Sequence, residues 1–171
     1  MVFPMEVKVA VGDVLEFPAD VLISTANPWL NMSGGVNGAI CERCPEIQEE
    51  LHSWLEANYK TAVAAGSAVK TLAGTLPFSH IVHAVAIDPF YDSNTELVTK
   101  TLSAAFGLIL DLDAKTVSMP TLATGFGPLS IDDFAFAFKK SVLEKFDSLE
   151  TTIVVRTQEN AELVRKTIQA K

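Results

Sequence analysis

The sequence is short of cysteine, of positive charge and of long apolar runs. Two cysteines in 171 residues, Cys41 and Cys44, cannot build the disulfide framework of a small secreted domain, and a reducing cytoplasm is the expected compartment. Lys and Arg number 13 against 21 Asp and Glu, a net charge of −8, which argues against a non-specific grip on nucleic acid or on an anionic membrane. No apolar stretch approaches the roughly 18 to 20 residues of a membrane span. Met1 to Ala10 lacks the basic and apolar regions of a secretory leader. Repeats, low-complexity tracts and Pro/Ser linkers are absent too.

What is present suits one folded domain over residues 1–171. Apolar residues make up 49% and charged residues 20%, enough to fill a core and too apolar for disorder. Glu6 to Val11 alternates as a strand, and Asp20 to Ser24 is a short apolar run of the fully buried strand type. A Gly-rich loop, Ser33 to Gly38, leads into a helix expected from about Ala39. A further helix is expected over Glu46–Tyr59, with Ile47, Leu51, Trp54 and Leu55 on one face. Strands are expected over Ser67–Leu72, His80–Ile87, Thr116–Met119 and Thr151–Arg156, and helices over Asn94–Asp111, from about Asp132, and over Glu159–Ala170. Strands alternating with helices predict an α/β fold of three layers with a mainly parallel central sheet. In such sheets ligands sit at the carboxyl ends of strands, which points to the loops after Val11, Ser24 and Met119.

Two of those loops are rich in glycine: Ser33-Gly34-Gly35-Val36-Asn37-Gly38 and Thr124-Gly125-Phe126-Gly127. Glycine permits positive φ and close approach of a ligand, and a helix start offers free N–H groups to an anion. No Lys or Arg occurs from Val9 to Glu42 or from Thr116 to Phe138. An anion held here must therefore be held by backbone donors, with Arg43 and Lys139 as the nearest cations in sequence. Tight turns with glycine for geometry alone are the other reading. Neither loop carries the Lys of a Walker motif or the full Rossmann glycine pattern.

Asp13, after the first strand, can accept a hydrogen bond from an exocyclic amine or simply shape a turn. Asn27, ahead of Pro28, can donate and accept toward a ribose hydroxyl or a water, or shape a turn likewise. Cys41-Glu42-Arg43-Cys44 is a C-x-x-C without the further ligands that zinc needs and too far into its helix for redox work, so the pair reads as small core residues. His83, inside an apolar strand, reads as a satisfied core histidine. No metal or cofactor site is expected.

The order Gly12-Asp13-Val14, then Asp20 to Asn27, then Gly34-Gly35-Val36-Asn37-Gly38-Ala39-Ile40 resembles the N-terminal half of a macrodomain, the ADP-ribose-binding family. Ser79 to Val85 is similar to that family's central strand, and Pro120 to Leu129 to its second phosphate loop. The resemblance implies a three-layer α/β/α fold with a mixed, mainly parallel sheet. It implies that Asp13 binds the adenine amine with the Val14 backbone beside it, and that Asn27 contacts the distal ribose. Gly34, Gly35 and Val36 would surround the distal ribose and diphosphate. Thr124, Gly125, Phe126 and Gly127 would cover the phosphates.

The implied partner is ADP-ribose or an ADP-ribosylated substrate, and the implied activity is hydrolysis of an ADP-ribosyl adduct, a modified macromolecule or an ADP-ribose ester, with Asn27 orienting the water. Asn37 stands where one hydrolase branch has a catalytic aspartate, and an amide cannot serve as a carboxylate base. Ile40 and Cys41 replace the lysine of another branch. The aromatic that often covers adenine is missing from Gln158 to Ala161, leaving Arg156 or Asn160 for that place. Some family members dispense with the aspartate by letting the substrate's own phosphate position the water. A non-catalytic reader of ADP-ribose and a domain for another nucleotide are the competing readings.

Overall fold

The computed structural model describes residues 5–125 and 127–170. Six strands, β1 (Glu6–Val11), β2 (Val21–Thr25), β3 (Ala68–Leu72), β4 (His80–Ala84), β5 (Thr116–Met119) and β6 (Glu150–Val155), form one sheet in the order β1-β6-β5-β2-β4-β3. Every pairing is parallel except β3 with β4, so the sheet is mixed and mainly parallel. Five helices cover it: α1 (Gly35–Arg43), α2 (Glu46–Ala57), α3 (Thr95–Asp111), α4 (Ile131–Phe138) and α5 (Gln158–Gln169).

Alternation along the central strands divides the core. Val21 and Ile23 of β2 and Val82 of β4 meet Leu102 and Phe106 of α3, Phe134 and Phe138 of α4 and Val164 of α5. Leu22 and Ile81 point the other way, against Ile40 of α1 and Ile47, Leu51 and Leu55 of α2. Both faces of β2 and β4 are therefore dry, which is why their sequences read as unbroken apolar runs. The result is a three-layer α/β/α sandwich, as the sequence predicts. No helix among the described residues is long and apolar enough to cross a membrane.

Local chemistry fixes most helix starts. The Asn94 side chain accepts from Leu97 N, Ser130 and Asp133 form a capping box, and Thr157 caps α5. At the opposite end of the sheet from these loops, Asp20 joins three strands. Its Oδ2 accepts from the backbone N–H groups of Lys115 (2.8 Å) and Thr116 (3.1 Å), and its carbonyl accepts from Ser79. The Lys115 hydrogen bond, foremost, holds its carboxyl below the usual aspartate value.

Two boundaries depart from expectation by more than two residues. α1 begins at Gly35 rather than near Ala39, so most of the first glycine loop is the opening turn of a helix. β4 ends at Ala84 rather than Ile87: Val85 still bonds the backbone of Gly66 and Ser67, and Ala86 and Ile87 run on as an apolar wall.

Candidate functional site

At the carboxyl ends of the parallel strands lies a cavity of about 440 Å³. Five loops build it. Gly12 and Val14 follow β1, and Asn27 and the start of α1 follow β2. Ile87 and Tyr91 follow β4, Thr124, Gly125 and Gly127 follow β5, and Arg156 and Asn160 follow β6. The two glycine loops thus face one space although nearly ninety residues separate them in the chain.

The first loop owes its shape to Gly34 and Gly35, with φ of 68° and 55°, values that favour glycine. Gly34 caps α1 without any side-chain hydrogen bond, and no acidic residue sits in the first turn. The opening N–H groups of α1 therefore lack a protein partner of the usual kind and border the cavity. Gly35, Val36 and Asn37 all lie in this turn.

In the second loop Thr121 and Thr124 share a hydroxyl hydrogen bond of 2.6 Å, and Leu129 N donates to Ala123 O across the turn. Gly127 is obligatory: a Cβ there would lie 2.4 Å from Ala123 O. Gly125 is not demanded by packing, since its Cβ would meet nothing within 4 Å. The sequence reading treats these glycines alike, and the structure separates them. Phe126 lies outside the described residues.

Asn27 is buried, and its amide is spent on its own loop. Oδ1 accepts from Trp29 N (3.1 Å) and Asn31 N (3.2 Å), and Nδ2 donates to Asn31 O (2.9 Å). The same segment is latched to α2 by Gln48, which donates to Leu30 O (2.9 Å) and accepts from Met32 N (2.6 Å). Leu30 needs the latch, for its φ of 56° is costly in a branched residue. Gln48 is a positioning residue that the sequence reading missed. Its only sequence trace is a polar side chain on the helix that follows the loop. Gln48→Ala should free the Met32 amide and raise its hydrogen exchange by about tenfold or more, read by exchange mass spectrometry.

Asp13 is adjacent to the cavity wall rather than part of it. Its Oδ1 accepts from Leu15 N (3.0 Å) and caps a short 3-10 turn over Val14–Glu16, while its neighbours Gly12 and Val14 line the space. Asn37 does line the cavity, and its Oδ1 accepts from the fully buried Ser24 hydroxyl at 2.5 Å. Among the described residues no Asp, Glu, His, Cys or Lys lines the cavity, and its one lining cation is Arg156. The nearest cations in sequence sit elsewhere. Arg43 pairs with Glu16 at 3.6 Å on the surface, and Lys139 donates to Ala170 O.

Cys44 is buried with its Sγ 3.2 Å from Thr75 Oγ1, and Cys41 is half-buried, both at the end of α1 away from the cavity. No group of three or more potential metal ligands occurs among the described residues. His83 is only half satisfied: Nε2 meets Thr71 Oγ1 at 2.9 Å, but the buried Nδ1 has no partner. That corrects the reading of a fully satisfied core histidine.

Comparison with known proteins places this geometry. A macro domain-containing protein of Listeria monocytogenes serotype 4b is 31% identical over 98% of this chain and 99% of its own. An O-acetyl-ADP-ribose deacetylase of Enterobacter sp. is 34% identical over 70% of this chain and 67% of its own. A single-substitution variant of the Oceanobacillus iheyensis macrodomain, solved with ADPR, superposes with a TM-score of 0.85 at 20% identity, covering 99% of this chain and 97% of that one. The Macro domain family model matches residues 23–137, from the buried strand β2 through both glycine loops to α4, and the chain belongs to that family.

Proposed function

We propose that the cavity binds ADP-ribose and that the protein releases it from an adduct, an ADP-ribose ester or a mono-ADP-ribosylated macromolecule. One observation carries the binding half. Two glycine loops, neither holding a Lys or Arg, close on one cavity beside an uncapped helix start. Such a cradle offers backbone N–H groups to a diphosphate. In this reading Gly34, Gly35 and Val36 hold the distal half of the ligand, and Thr124, Gly125 and Gly127 close over the phosphates. Arg156 and Asn160 cover the base. Asp13, with Oδ1 committed to Leu15 N, has its other carboxylate oxygen for the adenine amine, beside the Val14 backbone. The related deacetylase and the ADPR-bound macrodomain support the same assignment.

The catalytic half follows from what lines the cavity. The described walls of the cavity hold no carboxylate or imidazole to serve as general base. Water is then oriented by the Asn37 amide and by the ligand's own phosphate, while Asn27, its amide engaged within its loop, shapes that wall. Turnover is therefore slow, and its kcat is flat from about pH 6 to 8, since no carboxylate, imidazole or thiol lines the described walls. A reader without turnover is the second reading, favoured by Asn37 where a carboxylate would serve.

Calorimetry tests the binding half. ADP-ribose should bind at least about tenfold more tightly than AMP, because AMP leaves the first loop empty. Equal affinity for the two, or no binding of either, defeats it. Release of ADP-ribose from O-acetyl-ADP-ribose tests the catalytic half, and its absence leaves the reader.

A further inference from the structure

Asn27 and Asn37 both border the cavity, yet their amides are used differently. Asn27 satisfies both ends of its amide within its own loop. Asn37 satisfies only its oxygen, which accepts from Ser24 Oγ. Its nitrogen has no hydrogen-bond partner among the described residues and is not among the fully buried unpaired atoms, so it opens on the cavity that the residue lines.

The orientation is fixed from below. Ser24 has one hydrogen to give, and the residue is fully buried on β2. The other acceptor within reach is Thr25 O, at 3.5 Å the limit of a hydrogen bond. His83 Nδ1, in the strand position beside Ser24, makes no hydrogen bond, so the hydrogen is not spent there. Turning the Asn37 amide over would leave the Ser24 hydrogen stranded in a dry site, which is costly. Ser24 therefore holds Asn37 Oδ1 inward and its NH₂ outward.

We infer that Asn37 meets the ligand as a hydrogen-bond donor, positioned by Ser24, and that it selects adducts presenting a carbonyl oxygen at this point over the free sugar. This rests on the reading that the cavity holds ADP-ribose. A ribose hydroxyl both donates and accepts, and adapts to either polarity. A carbonyl can only accept, so it requires the donor. A carboxylate at this position would repel the carbonyl.

The test uses two ligands: ADP-ribose, and a hydrolysis-resistant analogue in which an acetamide replaces the acetate ester, keeping the carbonyl. Calorimetry gives the ratio of their dissociation constants. Asn37→Asp keeps the Ser24 hydrogen bond and replaces the donor by an acceptor. It should move the ratio against the analogue by about 10- to 100-fold. Ser24→Ala lets the amide turn and should move the ratio the same way by about threefold or more. A merely structural role for either residue would shift both constants together and leave the ratio fixed, and that result overturns the inference. Should Asn37→Asp fail to fold, Ser24→Ala decides alone. If the wild-type protein binds neither ligand, the ADP-ribose reading has failed, and that outcome is distinct from an unmoved ratio.

Discussion

Lowering the pH from about 6.5 to 3 should cost the protein about 4 kcal/mol through one side chain, His83. The residue sits on β4 with no exposure, and burial lowers its pKa from 6.5 to about 3. The folded state keeps the ring neutral over that interval while the unfolded chain takes up a proton. Its contribution is full above the unfolded value of 6.5 and is lost as pH falls toward the folded value. The loss reaches about 2 kcal/mol already at pH 5, where most carboxylates are still charged. Urea unfolding at about pH 7 and pH 5 isolates this effect. His83→Leu removes the titrating ring together with an unpaired buried nitrogen, at the expense of the Thr71 hydrogen bond. It should abolish most of the difference between the two pH values, and an unchanged difference would show that His83 is not its source. Asp20 adds a separate, more acidic component. Its lowered pKa makes a contribution that is present above 3.8 and lost as pH falls below it.

The second large effect is expected at Gly127. A methyl group there would have to displace the Ala123 carbonyl, and with it the turn that Leu129 N closes. Gly127→Ala should destabilise the protein by about 2 to 3 kcal/mol and weaken ADP-ribose binding by about 100-fold or more. Gly125→Ala provides the contrast. Its methyl projects into open space, so stability should stay within about 0.5 kcal/mol, and any loss of affinity comes from contact with the ligand itself. Thermal unfolding with and without ADP-ribose separates the two cases. Equal stability of the two variants would show that the 123–129 turn tolerates displacement.

The sheet was legible because its central strands are apolar on both faces, and α3 and α4 because Asn94 and Ser130 are strong caps. The start of α1 was not legible. Glycines at positive φ look like a loop whether or not a helix follows at once, and no side-chain cap announced it. The end of β4 was hidden for a different reason. Val85 keeps the apolar pattern as a core residue still bonded to the backbone of Gly66 and Ser67, and Ala86 and Ile87 keep it because they wall the cavity. Two of the five loops at the site, after β4 and β6, carry little sequence signal. Tyr91 (φ 61°) is held there by Asp88, whose Oδ1 accepts from Phe90 N and Asp92 N, and only the closed sheet reveals that the turn faces ligand space. Asn27 and Asn37 were visible as candidates, but their unlike hydrogen bonding depends on Ser24 and Asn31, which the sequence alone cannot orient.

The pairing of β1 with β6 has a consequence for synthesis on the ribosome. The strand that opens the chain finds its sheet neighbour only in the last, with Glu6 opposite Glu150, and the Gly12 N–H is anchored on Val155 O. A nascent chain that has emerged as far as α4 has both glycine loops but no β6 between β1 and β5. Its first strand then lacks a partner, and the wall formed by Gly12, Val14 and Arg156 cannot close. Contacts this distant in sequence form late and slow the folding step. Ligand capture should accordingly appear abruptly, in chains stalled after β6 has cleared the exit tunnel, and not gradually as each loop emerges.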